Sequence, residues 1–152
     1  MFTRILVPYD GSRFSKNALL RAIEVAHNID SEIFLFSVIN TGYISPPGML
    51  KGLVRSGSEK NAIKRWQIKV KKETQKKLES AIKKCSSHGI TASFFIVEGS
   101  PSSKILEFAK KKKITLIVMG SHGLSGLGKI KTLGSTSRRV CEEANCPVLI
   151  VK

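Results

Sequence analysis

Acidic residues are scarce in this chain: 11 Asp and Glu stand against 26 Lys and Arg, for a net charge of +15 at pH 7. From Gly120 to Cys141 there is no acid at all, although His122, Lys129, Lys131, Arg138 and Arg139 fall in that stretch. Cysteine is as sparse. Cys85, Cys141 and Cys146 are odd in number and form no C-x-x-C, which excludes a disulfide framework and zinc-ligand spacing; they read as buried thiols. No apolar run approaches the roughly 20 residues of a membrane-spanning helix. The opening "MFTRILVPYDGS" has only about five apolar residues before Asp10, so a cytoplasmic location is expected rather than secretion. The fingerprint G-x-G-x-x-G is missing after the first apolar run, which disfavours NAD and FAD. No Ser-His-Asp, Cys-His or metal-ligand cluster can be placed together.

What is present fits one domain. The chain has 152 residues, 41% apolar and 24% charged, enough to bury about two-thirds of the surface its unfolded form exposes. Apolar, β-branched runs at 4–8, 32–39, 91–97, 114–119 and 147–152 predict five strands. Between them, Phe14, Ala18, Ala22, Val25 and Ala26 recur at helical spacing, as do Ile63, Trp66, Val70, Leu78, Ile82 and Cys85. Ser12 reads as a helix N-cap, and Ser100-Pro101 opens a third helix over Ile105, Leu106 and Phe108. Residues 135–144 form a fourth, and His88-Gly89 ends the second. Strands alternating with helices argue for a parallel sheet covered on both faces, a three-layer α/β/α sandwich. Residues 40–59, with two prolines and four glycines, break the rhythm as a lid or an insertion.

In such sheets ligands sit beyond the carboxyl ends of the strands, where neighbouring connections diverge. Two loops lie there. "PYDGS" follows the first strand, and Asp10 is either a ribose acceptor or part of an Asp-Gly turn into the Ser12 cap. "MGSHGLSGLGKIKTLGSTSRR" (119–139) follows the fourth. Helix starts favour acids near their positive dipole end; this one has none, so its open amides and basic neighbours suit an anion from elsewhere. Glycine at 120, 123 and 134 would let N–H groups approach a phosphate, although a bland flexible connection has the same composition. Gly123 to Lys129 spells the G-x-x-x-x-G-K of a P-loop, but Ile130 stands where a Ser or Thr must bind Mg²⁺. The likeness to a P-loop is coincidental. His122 is open between a phosphate contact and a solvent-facing residue; His27 and His88 read as helix-surface residues and Trp66 as core or interface.

The segments "ILVPYDGSRFSKNAL", "SVI" and "VMGSHGLSGLGKIKTLGSTSRRV…CPVLIVK" together resemble the universal stress protein family, over the whole chain except the 40–59 loop. The resemblance implies a five-stranded parallel sheet in the order 3-2-1-4-5, the adenine nucleotide alpha hydrolase-like arrangement, in one domain spanning 1–152. In nucleotide-binding members the pattern G-x2-G-x9-G-[ST] wraps a triphosphate. Carried over, it sets Pro8 and Asp10 beside ribose and base and Val38 against adenine through its backbone. Met119, Gly120, Gly123, Gly134, Ser135 and Thr136 then form the phosphate side, and Gly126 and Gly128 can absorb a bulge. Ten residues separate Gly123 from Gly134 here, where the pattern has nine.

The expected ligand is therefore ATP or another adenine nucleotide, with Mg²⁺ held mainly by phosphate oxygens, bound by a stress-response regulatory module rather than an enzyme. Slow ATP hydrolysis is the second reading. The third is a nucleic-acid-associated protein; because no stacking platform or helix-turn-helix accompanies the lysines, only weak, non-specific binding is expected of it. The last strand, "CPVLIVK", is expected at the sheet edge as a homodimer contact.

Overall fold

The computed structural model describes residues 1–40, 57–124 and 132–152. Among the described residues, nine elements alternate: β1 (Arg4–Pro8), α1 (Arg13–His27), β2 (Glu32–Ile39), α2 (Gly57–Ser87), β3 (Ala92–Glu98), α3 (Pro101–Lys111), β4 (Leu116–Gly120), α4 (Ser135–Glu143) and β5 (Val148–Val151). The strands form one parallel sheet in the order β3-β2-β1-β4-β5.

Alternation of side chains along the strands divides the core in two. Ile5, Val7, Ile33 and Leu35 pack with Ala18, Ala22, Leu78 and Cys85 of α1 and α2. Leu6, Phe34, Phe36 and Ile117 pack with Ile105 and Val140 of α3 and α4. The second layer is aromatic, with the Phe108 ring 4.4 Å from Phe36 and 4.9 Å from Phe95.

Helix ends follow their local chemistry. The Ser12 hydroxyl accepts the Ser15 amide. Ser100 stands at the N-cap of α3 but its side chain makes no capping bond. Gly89 closes α2 at φ +70, with Ile90 N–H donating back to Cys85 C=O. Lys113 takes the same left-handed conformation after α3, and Ile114 N–H donates to Ala109 C=O. Ile114 therefore belongs to a helix ending, which is why β4 begins at Leu116 rather than at 114.

Residues 57–59 are the first turn of α2, and the rest of the expected 40–59 loop after Asn40 lies outside the described residues. The thiols divide: Cys85 is buried, but Cys146 is half-buried and Cys141 exposed, correcting the reading of all three as core. Cys141 precedes two glutamates on the outer side of α4, where helical periodicity turns it from Val140 and the core.

Candidate functional site

The β1–β2 ladder runs to Pro8↔Phe36 and the β4–β5 ladder to Gly120↔Val151, yet β1 and β4 pair only at Ile5↔Leu116 and Leu6↔Ile117. The two central strands therefore part at their carboxyl ends. From there the chain turns to opposite faces, β1 into α1 and β4 toward α4, so the split is the switch point of the sheet.

On the β1 side, Gly11 at φ +81 makes the turn, and Asp10 holds it. Its Oδ1 accepts the Ser12 amide at 2.9 Å, and its Oδ2 accepts the Leu124 amide from the opposite loop at 2.9 Å. The Asp-Gly turn into the Ser12 cap is thus present, and the same carboxylate ties the two loops together. Tyr9, next to it, is buried; burial first, then the Asp10 charge and Cys85, raise its phenol pKa. The aliphatic stem of Lys77, from α2, lies across Gly11, a placement that no sequence signal near Asp10 announces.

On the β4 side, the glycines serve different ends. A Cβ on Gly120 would stand 2.6 Å from Phe14 Cβ and 2.8 Å from its carbonyl carbon, so the absence of a side chain lets α1 lie directly on β4. Among the described residues, a Cβ on Gly123 would meet the Asp10 Oδ2, at 3.0 Å. The Gly134 amide donates to Ser121 C=O at 2.9 Å. Ser137, buried, donates its hydroxyl to Gly120 C=O at 2.9 Å. These two bonds fix the start of α4 against the end of β4. Neither Ser137 nor Phe14 was legible as a site residue, because their partners lie 17 and more residues away in sequence.

Of the other carried-over positions, Met119 sends its side chain into the aromatic layer and is buried, while Val38 and Pro8 are half-buried at the ends of β2 and β1. Ser135 is exposed and Thr136 half-buried in the first turn of α4, where the N-cap Gly134 supplies no side-chain acceptor and no acid is present. That turn leaves its leading amides without intrahelical acceptors. His122 is neither free in solvent nor on the core: its ring packs 5.3 Å from Phe14, Nδ1 meets Ser121 Oγ at 3.0 Å, and Nε2 is buried without a partner among the described residues. Gly126, Gly128, Lys129, Ile130 and Lys131 lie outside the described residues.

No group of three or more metal-ligating side chains occurs among the described residues. Asp10 is the carboxylate at the crevice and both its oxygens hold amides, so these residues do not fit a protein-held Mg²⁺. A cavity of about 400 Å³, lined by Leu106, Lys110, Ile114, Glu143 and Cys146, lies at the other end of the sheet, where β4 and β5 begin. The crevice is the better candidate, because the strands part and the open helix turn begins there.

The chain belongs to the universal stress protein family, whose family model matches residues 1–152. It is 38% identical to universal stress protein YxiE of Bacillus subtilis over the full length of both. It is 37% identical to universal stress protein MJ0531 of Methanocaldococcus jannaschii, over all of this chain and 83% of that protein. The solved structure of protein MJ0577 from the same archaeon superposes with a TM-score of 0.83 at 29% identity, over all of this chain and 96% of the other. The fold is the adenine nucleotide alpha hydrolase-like one. More distant structures share it: a universal stress protein in complex with cAMP (TM-score 0.61, 23% identical, covering 99% of this chain and 96% of that one) and one from Archaeoglobus fulgidus in complex with dAMP (0.65, 18% identical, 100% and 98%). No described helix is long and apolar enough to cross a membrane.

Proposed function

We propose that the chain is a single-domain adenine-nucleotide-binding module of the stress response, whose bound state is read by a protein partner in the cytoplasm. The parting of β1 and β4 beyond Leu6↔Ile117 carries this reading. It opens a crevice between an acidic acceptor, Asp10, and an acid-free helix start at Ser135 and Thr136. A carboxylate suits ribose hydroxyls, and unpaired amides at a helix N-terminus suit phosphate. The adenine nucleotides bound by two distant relatives agree with that polarity. Pro8 and Val38 flank the base in this arrangement, and Met119 and Gly120 contribute backbone alone.

The Asp10–Leu124 bond closes the two loops on each other, so the nucleotide has to share or displace that amide. Gly123 lies at this junction. Calorimetry with ATP, ADP and AMP tests the proposal: wild type binds at least one of them below millimolar concentration, and Gly123→Val binds none while keeping the circular dichroism of the folded wild type. Failure of all three nucleotides to bind the wild type would remove the proposal. We propose further that two copies associate through β5, the edge strand with Leu149 40% exposed.

A further inference from the structure

We propose that the outer face of α2 is a docking surface for the phosphate backbone of double-stranded nucleic acid, separate from the nucleotide crevice. This helix runs 31 residues from Gly57 to Ser87, about 46 Å at 1.5 Å per residue, yet its buried residues, Leu78, Ala81 and Cys85, all belong to its carboxyl-terminal third. The rest of its length is supported by no fully buried side chain. Ten Lys and Arg against three Glu fall on it.

At about 100° per residue, Arg65, Lys69, Lys72, Lys76 and Lys83 fall within one sector opposite the buried stripe, and all five are exposed. They extend along about 27 Å of helix. The ion pairs among the described residues are Arg21–Glu24, Lys104–Glu107 and Arg139–Glu143, none of which involves this row. Glu79 borders the row and accepts the Gln75 amide at 2.8 Å; Glu73 borders its other side. Lys69 also sits over the Trp66 ring, 5.5 Å from its centroid.

A straight row of cations outside the ion pairs above, one helical turn apart from Arg65 to Lys76 and two turns from there to Lys83, matches a polyanion of regular charge spacing. A duplex carries one negative charge per about 1.7 Å of axis, and its major groove, about 12 Å wide, admits a helix. A membrane surface fits less well, because an interfacial helix needs a broad apolar side beside its lysines, and here the exposed large apolar residue is Ile68 alone among those described on α2. A single strand fits less well too, since no aromatic lies on the row to stack bases. The row reads no sequence: lysine to phosphate positions without specifying.

The test is fluorescence anisotropy of full-length protein with a labelled 24-base-pair duplex of arbitrary sequence, titrated from 50 to 200 mM salt. One variant replaces Arg65, Lys69, Lys72, Lys76 and Lys83 by Gln; a control replaces Lys16, Lys110, Lys111, Lys113 and Lys152 by Gln, removing the same charge elsewhere. With five phosphate contacts the wild-type affinity falls roughly 500-fold over that range, a slope of about −4.5. The α2 variant should lose most of that slope, and the control should keep it. Circular dichroism confirms that both variants are folded. Equal weakening by the control would assign the attraction to net charge and overturn the proposal. So would α2-dependent binding to phosphatidylglycerol vesicles without duplex binding, or duplex binding of unchanged slope in the α2 variant. Nucleotide binding, measured on the same samples, is independent of either result.

Discussion

Gly120 and Gly123 are glycines for different physical reasons, and substitution separates them. At Gly120 a methyl group would enter the backbone of Phe14 at 2.6–2.8 Å, where a packed helix must move to make room. Gly120→Ala should cost about 1–3 kcal/mol, lowering the melting temperature by roughly 3–10 °C, as scanning calorimetry would record. At Gly123 the nearest group among the described residues is the Asp10 carboxylate, so Val there should spare the fold and abolish the proposed nucleotide binding.

The three thiols separate in the same way. Burial pushes the Cys85 thiol up to about 11, and Cys141 is exposed. A thiol reagent at pH 8 should modify Cys141 in the native protein and reach Cys85 only on unfolding, as peptide mass mapping would read. The folded state favours neutral Cys85, so its contribution to stability is complete below the ordinary thiol value and is lost as pH rises toward 11. Rapid labelling of Cys85 in the native protein would contradict the packing of α2 on the sheet.

Among the elements, β5 is short and carries an exposed leucine at the sheet edge, with β4 its single partner strand among the described residues. An apolar edge strand invites a second strand. Light scattering at tens of micromolar should report a dimer, and Leu149→Lys should shift it toward monomer; a wild-type monomer would count against the edge contact. Helix α4 shows how an element can prepare a site without a side chain in it. Its first turn has glycine at the cap, no acid, and Ser137 anchoring it to Gly120 C=O. What remains at the crevice are amides and the positive end of the helix dipole.

At the scale of the whole molecule, turnover of ATP should be absent or far below the roughly 1–100 s⁻¹ of kinases. Phosphoryl transfer needs a placed nucleophile and a metal held near the transferred group, and the chain has no acid from Gly120 to Cys141. Asp10 holds two backbone amides and in the proposed complex faces the ribose rather than the transferred phosphate. A steady-state phosphate-release assay decides this: turnover near one per second that vanishes in Asp10→Ala, with nucleotide affinity retained, would make the protein an enzyme.

Strands, helices and most caps were legible in the sequence, because they depend on neighbours a few residues apart. Apolar runs with β-branched residues gave Arg4–Pro8 and Glu32–Ile39 without error, and Ser12, Pro101 and Gly89 marked helix ends through their own conformational and hydrogen-bonding limits. The acid-free stretch after Gly120 was likewise a property of the chain alone. The order of the strands was available only through the family resemblance, since periodicity does not say which strands pair. Tertiary structure alone decided that Asp10 would hold the Leu124 amide across 114 residues and that Gly120 would yield its space to Phe14. Each of these depends on groups distant in sequence meeting at a distance set by the packed sheet, and no local pattern encodes that distance.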